Sequence, residues 1–426
     1  MRVLIVGSGG REHALAWKIH QSPLLTQLIA APGSAALAEL GQCHPEVKAG
    51  DLDGLVALAQ RESIDLVVVG PEDPLVAGLA DRLRDAGIAT FGPSAQAAQL
   101  EGSKAFAKAF MERHAIPTAR HASFDELDAA LGYVRELGTR CVVKADGLAA
   151  GKGVAMCETT EQAEQALRET MNDRRFGEAG DRVVIEEWLD GEEASFFAIS
   201  DGVGVVTLVA AQDHKRALDG DRGENTGGMG TYSPAPIFSE AVEKQVLEQV
   251  VHPVIRGMAA EGHPFQGVLF VGLMIDEAGD ARVVEFNVRF GDPETQTLMV
   301  RLQDDLLPIL DAAARGALDD GRALSWGEAA ACVVLASGGY PRSYDTGLPI
   351  SGLDEAGRDE GVAIFHAGTA RGDDGGFVTA GGRVLGVTAT GASIQIARDR
   401  AYAAVAKLDF PGAQHRSDIA DRALRR

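Results

Sequence analysis

The chain has 426 residues and a formal net charge of −22 at pH 7, with no apolar run of membrane-spanning length. That length buries a sizeable core in about two to four domains, and the charge excludes non-specific binding to nucleic acid or an anionic membrane. An acidic protein that handles phosphates must therefore gather its own Lys and Arg locally, or use a divalent metal.

Four cysteines (Cys43, Cys141, Cys157, Cys332) are scattered without a Cys-x-x-Cys, which suggests neither a zinc site nor a disulfide framework. The chain enters an apolar strand at once, Met1-Arg-Val-Leu-Ile-Val-Gly, leaving no room for a signal peptide; a reducing cytosol fits. Periodicity predicts strands over 3–6, 28–31, 66–69 and 89–91 and helices over 12–19, 55–60 and 75–86. This is a parallel βαβ sheet, whose ligands bind at the carboxyl ends of its strands.

Three of those strand ends carry turn chemistry: Gly7-Ser-Gly9-Gly10-Arg11-Glu12-His13, Gly70-Pro71-Glu72-Asp73-Pro74 and Gly92-Pro93-Ser94. The first lacks the third glycine of a dinucleotide fingerprint, because Glu12 stands there. The second strand ends in Ala31-Pro32-Gly33-Ser34, with no acidic residue for a ribose. Both failures argue against NAD. A Gly-rich helix entry beside Arg11 suits a single phosphate; the same glycines also serve close helix–strand packing.

Glu101-Gly-Ser103-Lys104 opens a helix over 105–113 with Ser103 as N-cap. Lys104 falls in the first turn, where the helix dipole disfavours a cation. Position alone favours an exposed stem. From 116 to 188 the pattern becomes α+β, with helices over 125–137 and 161–170 and a strand over 183–185. At its centre Lys144-Ala-Asp-Gly147-Leu-Ala-Ala-Gly151-Lys152-Gly153-Val lies between two apolar runs, predicting strand, Gly-rich loop, strand. Glycines let backbone N–H groups approach an anion and lysines cancel its charge. The loop is not a Walker motif, since three residues separate Gly147 from Gly151 and the chain returns into a strand. On its own the stretch fits a phosphate cover and an ordinary hairpin equally. Ile185-Glu186-Glu187-Trp188-Leu189, followed by Glu193, suits recognition of a base edge and a ribose. Without further context these residues read as a solvated acidic turn.

Gln212-Asp213-His-Lys215-Arg216, followed by Asn225-Thr-Gly227-Gly228-Met229-Gly230, reads as a mobile loop that closes on a small charged substrate. Composition fits a disordered surface excursion as well. The sharpest local chemistry is Val283-Val-Glu285-Phe-Asn287-Val-Arg289-Phe-Gly-Asp-Pro-Glu294. Strand alternation puts Glu285, Asn287 and Arg289 on one face. Glu and Asn oxygens suit Mg²⁺, which otherwise binds through substrate phosphates, and Arg289 suits a phosphate. A half-buried strand with a solvated polar face has the same alternation; the conjunction of the three favours a metal. A helix near 303–315 and a Gly/Ala-rich join lead to a separate β-rich unit over 329–426, with strands at 331–336, 362–367 and 384–388 and a helix over 393–407. Gly381-Gly-Arg383 and His415-Arg416-Ser-Asp418 read as packing and surface features.

Together these motifs resemble the ATP-grasp superfamily and, more narrowly, its phosphoribosylamine–glycine ligases. The likeness covers essentially the whole chain through the motifs at 7–14, 70–72, 101–104, 144–154, 212–216, 225–230 and 285–296. It implies a multidomain α/β and α+β fold: an N-terminal parallel βαβ (pre-ATP-grasp) domain at 1–103, a two-lobed ATP-grasp core at 104–316 with a small lid lobe at 118–190, and a β-rich C-terminal domain at 327–426. The resemblance places Lys104, Lys144, Gly147, Gly151, Lys152 and Gly153 at ATP phosphates. It puts Glu186, Glu187 and Leu189 at adenine and Glu193 at ribose. Glu285 and Asn287 would bind Mg²⁺ or Mn²⁺, with Arg289, Asp213 and Lys215 as catalytic residues. Gly9, Gly10, Arg11, Pro71, Glu72 and Pro93 would receive a phosphoribosyl group, and Asn225, Gly227, Gly228 and Met229 would close over substrates. The chain departs from the family pattern at Ser34, where Asn is expected, and at His415 and Ala420, where Tyr and Gly are expected. The implied activity is ATP-dependent ligation of glycine to 5-phosphoribosylamine through glycyl phosphate, in de novo purine biosynthesis. It implies small-molecule substrates only, and a cytoplasmic monomer. The rivals are an ATP-grasp ligase with another acyl acceptor, a dinucleotide oxidoreductase and a non-catalytic ATP-binding module.

Overall fold

The computed structural model describes residues 1–148 and 153–426. Four sheets organise the chain. The first is parallel and five-stranded, in the order Gln42–Cys43, Gln27–Pro32, Arg2–Gly7, Leu66–Val69, Ala89–Phe91. Its central strands are continuous apolar runs because both faces are covered, which is why they were legible as strands. One expectation fails here. The helix expected over 75–86 is two helices, Glu72–Val76 and Leu79–Asp85, because Gly78 takes a left-handed conformation (φ +89°) between them.

The lid lobe is an antiparallel sheet in the order His121–Phe124, Val183–Glu187, Cys141–Ala145, Val154–Cys157. Helices Leu127–Leu137 and Thr160–Leu167 cover it and close a small core of its own around Leu131, Val134, Val143, Leu167 and Ile185. Its connection to the rest runs through Pro117–Thr118. Val283 N–H donates to Pro117 O at 2.8 Å and the Thr118 hydroxyl donates to Val283 O at 2.6 Å.

Opposite the lid stands a second antiparallel sheet, Val205–Thr207, Glu192–Asp201, Gln266–Ile275, Ala281–Asn287. Its apolar core is continuous with one face of the parallel sheet, so the two form one packed body. The last sheet is ordered Gln212–Asp213, Gly230–Ser233, Ala329–Ala336, Arg383–Gly391, Val362–His366. Helix Ile394–Val405 packs on it.

This last sheet corrects two sequence readings. The 211–236 segment is not one mobile loop: its two ends are strands, with Tyr232 and Ser233 fully buried and the Tyr232 hydroxyl donating to Gln212 Oε1 at 2.8 Å. The hairpin between them, Arg216–Leu218 with Arg222–Asn225, reaches solvent. By the same token the β-rich unit over 329–426 is not separate, because it borrows those two strands from mid-chain. Short strands separated by glycines carry too few residues for an alternation pattern to register.

Candidate active site

The cleft between lid and second sheet collects charge from both. Lys144 ends a lid strand and is 3% exposed; its ammonium lies 2.9 Å from Glu186 Oε1 and donates to Val284 O at 3.0 Å. The other oxygen of Glu186 lies 3.0 Å from Lys108 Nζ. Burial alone would push the Glu186 carboxyl up, but Lys144 and Lys108 outweigh it and hold it below the usual range. Lys108 also donates to the Thr118 hydroxyl at 2.8 Å, and burial lowers its ammonium to about 8. Lys104 is half-buried rather than exposed and donates to Gly147 O at 3.0 Å, at the mouth of the Gly-rich loop. Desolvation holds it below the ordinary lysine range. The acidic turn read as solvated is likewise divided: Glu186 is buried, whereas Glu187 points to Arg120 (2.8 Å) and Arg282 (3.2 Å). Leu189 is buried at the strand's exit. Gly153 opens the returning lid strand, while Gly151 and Lys152 lie outside the described residues.

Across the cleft, alternation puts Glu285, Asn287 and Arg289 together as expected. Phe286, Val288 and Phe290 fill the core beneath them. Arg289 donates to Asn287 Oδ1 at 2.9 Å and pairs with Glu101 (3.0 Å) and Glu72 (3.2 Å). Burial works against the Arg289 charge, yet Glu101 and Glu72 hold it above the ordinary arginine range. Glu101 is itself pushed up to about 7, mainly by burial. A Cβ on Gly272 of the neighbouring strand would lie 3.2 Å from Glu285 Cγ, so the glycine leaves room for that carboxylate. Burial opposes Glu285 ionisation, but Lys215, Lys144 and Lys104 keep it below the usual range.

Lys215 joins two strands of the second sheet, 2.8 Å from Glu193 and 3.7 Å from Glu285. Burial disfavours its charge, but Glu193, Asp213 and Glu285 raise it well above an ordinary lysine. Asp213, 7% exposed, is pushed up to about 7 by desolvation. Glu294, buried beside it, accepts from the Ser195 hydroxyl at 3.1 Å and is also pushed up by desolvation.

The third wall comes from the parallel sheet. The Glu12 side chain fills the niche between Gly7 and Gly70; a Cβ on Gly70 would overlap Glu12 Oε1 at 2.2 Å. Its carboxylate accepts from Gly9 N–H (2.7 Å) and Arg11 Nε (2.5 Å), so the space a third fingerprint glycine would leave for a dinucleotide is filled. Arg11 reaches Phe290 O at 3.2 Å and lies 3.8 Å from Glu72, tying this loop to the Arg289 face. Pro71 caps the helix that carries Glu72. Pro93 packs on Gly267, five residues along the strand from Gly272. Arg383 donates to Gly227 O (2.7 Å) and Asp292 O (2.6 Å), joining the 225–230 turn to the Gly-Asp-Pro-Glu turn. Gly9 and Gly10 face the same Asp292. Asn225 ends the exposed hairpin, Gly228 is pressed on Pro293, and Met229 is fully buried with its N–H donating to His214 O at 2.8 Å and its carbonyl accepting from Val334 N–H at 3.0 Å. His13 accepts from His366 N–H at 2.9 Å and is lowered to about 4 by burial, a neutral link to the last sheet.

Sequence reasoning missed Lys108, Glu101, Glu294 and Arg383. Lys108 stands four residues after Lys104 on one helix and so on the same face, a spacing that could have revealed it. Arg383 read as a packing feature because its partners, backbone carbonyls and the Asp292 carboxylate at 3.4 Å, lie far away in the chain.

A lysine-lined, glycine-looped lid sheet closing on a second antiparallel sheet with a Glu–Asn–Arg face defines an ATP-grasp ligase. A biotin carboxylase from Campylobacter jejuni, solved with an ATP analogue, has this fold, with a TM-score of 0.74 over 97% of this chain and 92% of that one at 15% identity. Family models described as phosphoribosylglycinamide synthetase N domain, ATP-grasp (A) domain and C domain match residues 1–101, 102–295 and 330–422. The sequence is 54% identical to the phosphoribosylamine–glycine ligase of Xanthomonas axonopodis and 50% identical to that of Salmonella typhimurium, each over 100% of this chain and 99% of the relative. The crystal structure of the Thermotoga maritima phosphoribosylamine–glycine ligase aligns with a TM-score of 0.85 at 33% identity, covering 99% of this chain and 100% of that one. The chain belongs to the phosphoribosylglycinamide synthetase family and is an ATP-dependent ligase. Among the described residues no helix is long and apolar enough to cross a membrane.

Proposed function

We propose that the chain ligates glycine to 5-phosphoribosylamine, forming glycinamide ribonucleotide, ADP and phosphate. Full-length identity to ligases of that name carries the reading, and the convergence of three walls on one cleft supports it. Glycine's carboxylate oxygen attacks the γ-phosphorus of ATP and the β–γ bridging bond breaks, giving glycyl phosphate and ADP. The amine of phosphoribosylamine then attacks the acyl carbon, and the carbon–oxygen bond to phosphate breaks. Carboxylate is a poor acyl donor; phosphorylation gives it a leaving group.

Each residue's part follows from its place. Lys104 and Lys144 hold nucleotide phosphates at the Gly147 turn, and the strand exit from Glu186 to Leu189 offers backbone groups to adenine, with Glu193 at the ribose. Arg289 orients the oxygens that change hands, Lys215 offsets their charge, and Asp213, poised near neutrality, takes the amine's proton. The Gly9–Arg11 loop, Pro71, Glu72 and Pro93 face the phosphoribosyl end, and Asn225–Met229 flank it. Closure of the lid keeps water off the acyl phosphate.

Glu285 and Asn287 fit a divalent ion. The Glu285 carboxylate is held ionised, Asn287 keeps a free lone pair on Oδ1, and no cluster of three or more His, Cys, Asp or Glu among the described residues would hold a metal unaided. Such a pair needs further oxygens from substrate phosphates and water, which is the habit of Mg²⁺ or Mn²⁺. When bound, the ion withdraws charge from the transferring phosphoryl group. The test is ADP release from Mg-ATP with glycine and phosphoribosylamine supplied singly and together. Turnover is expected only with both; release that ignores glycine or the amine rejects the assignment.

A further inference from the structure

Lys108 has no part in the reaction above, yet the residue is only 2% exposed, as deeply buried as Lys144 at 3% and Glu186 at 4%. These three are in direct contact, while Glu187 acts on Lys108 and Glu285 on Lys144 from further away. Lys108 takes one carboxylate oxygen of Glu186 at 3.0 Å and Lys144 takes the other at 2.9 Å. Two ammonium groups and one carboxylate leave a surplus of one positive charge, away from bulk water where it would be screened. Buried ions persist only when balanced, and a lone Lys144–Glu186 pair would balance itself. Lys108 prevents this. By drawing half of the carboxylate toward the helix Lys104–Arg113, it leaves Lys144 incompletely neutralised on the strand that enters the phosphate loop.

We propose that Lys108 is a positioning residue for the nucleotide: it shares Glu186 so that the Lys144 ammonium faces the phosphates fixed in place and with its charge available. The inference rests on the assignment of Lys144 to nucleotide phosphates. Lys108 itself touches no substrate.

The test is calorimetric titration of the full chain with a non-hydrolysable ATP analogue plus Mg²⁺, and separately with adenosine. Lys108→Met keeps the length of the side chain and removes the charge. Affinity for the triphosphate is expected to fall about 10-fold at pH 7, while adenosine affinity stays unchanged. Lys108→Arg is expected to restore most of the triphosphate affinity. Thr118→Val, which removes the hinge contact but keeps the Lys108–Glu186 pair, is expected to bind the triphosphate like the native chain.

The pH profile supplies a readout that a merely structural role would not move. Lys108 faces Glu186, Glu187 and Lys144 and the Thr118 hydroxyl, and burial lowers it to about 8. It is charged below that pH, so triphosphate affinity in the native chain is expected to drop as pH rises through about 8. Lys108→Met lacks that step. The proposal is overturned if Lys108→Met binds the triphosphate as the native chain does, if adenosine weakens in parallel, or if Thr118→Val reproduces the loss. Should Lys108→Met fail to fold, absence of the pH step in the native chain overturns it equally. Native ADP release that needs no glycine would reject the proposed reaction while leaving these titrations to decide Lys108.

Discussion

Where the lid meets the body two lysines, Lys144 on a lid strand and Lys108 on the helix Lys104–Arg113, share the single carboxylate of Glu186; elsewhere in the cleft one guanidinium, Arg289, is shared by the carboxylates of Glu72 and Glu101. The first cluster thus carries a surplus of positive charge and the second a surplus of negative charge. Each surplus matches what that cluster is proposed to receive: a polyanionic nucleotide tail under the lid, a divalent ion and an amine opposite. Burial makes both expensive, and each cluster holds one group displaced toward neutrality that can relieve it. Lys108 is lowered to about 8 and Glu101 raised to about 7. Lys108 pairs with Glu186 across the junction of lid and body, and Lys144 donates to Val284 O across the same junction.

The harshest way to break the comparison is to remove Arg289, the cation paired with both carboxylates. Arg289→Met leaves Glu101 with only the Val288 N–H at 2.7 Å and half-buried Glu72 with only Arg11 at 3.8 Å. Unpairing a buried charge such as Glu101 costs about 3–5 kcal/mol. The folded-state titration point of Glu101 then rises further above its unfolded value. A carboxyl raised in this way binds its proton in the folded state, so stability is lost as pH rises through the raised value. Chemical denaturation of the variant is expected to show a deficit that grows from pH 6 to pH 8, with turnover at background. A deficit that does not change with pH would mean that Glu101 is not the group that suffers.

Glu285→Gln is the next largest. It keeps the shape of the side chain and the Gly272 niche but removes the anion that the three lysines hold ionised. Loss of one charged ligand from a two-residue metal site is expected to cost about 100-fold in turnover, partly recovered at high Mg²⁺ or Mn²⁺, with the melting temperature unchanged. A near-normal rate at low Mg²⁺ would remove Glu285 from the site.

What the sequence made legible follows from the range of the signal. Glu285, Asn287 and Arg289 could be placed on one face because alternation is a property of a single strand, and their side chains do converge. The parallel sheet was legible for the same reason, since its buried strands are unbroken apolar runs. Lys104 and Glu186 were misjudged from position alone, one as an exposed stem and one as a solvated turn. Their burial is created by partners, Gly147 and Lys108, that lie 43 and 78 residues away. The strands Gln212–Asp213 and Gly230–Ser233 were read as part of a loop because they are two and four residues long, and the second, on which the first pairs, takes its other neighbour from a strand about a hundred positions onward. Only the resemblance to a family, which carries long-range information, recovered Lys104 and Glu186. The departure at Ala420 has a visible reason too: its φ of +67° is the left-handed region where a glycine is expected.

The finest division lies between two neighbours in sequence. Glu186 and Glu187 are consecutive on the lid strand Val183–Glu187, so the pleat sends their carboxylates to opposite faces. Glu186 meets two buried lysines, whereas Glu187 meets Arg120, whose side chain is 87% exposed, and Arg282. Exposed pairs of this kind gain little in water, because solvent already satisfies both charges. Glu187→Gln is therefore expected to leave the melting temperature and the KM for ATP at their native values, while Glu186→Gln leaves Lys108 and Lys144 buried with no counter-charge and lowers both stability and nucleotide affinity. Measuring KM for ATP in the two variants side by side separates the faces. If Glu187→Gln impaired ATP binding as severely as Glu186→Gln, its carboxylate would have to swing into the cleft when nucleotide arrives, and the charge surplus under the lid would be smaller than the two lysines make it.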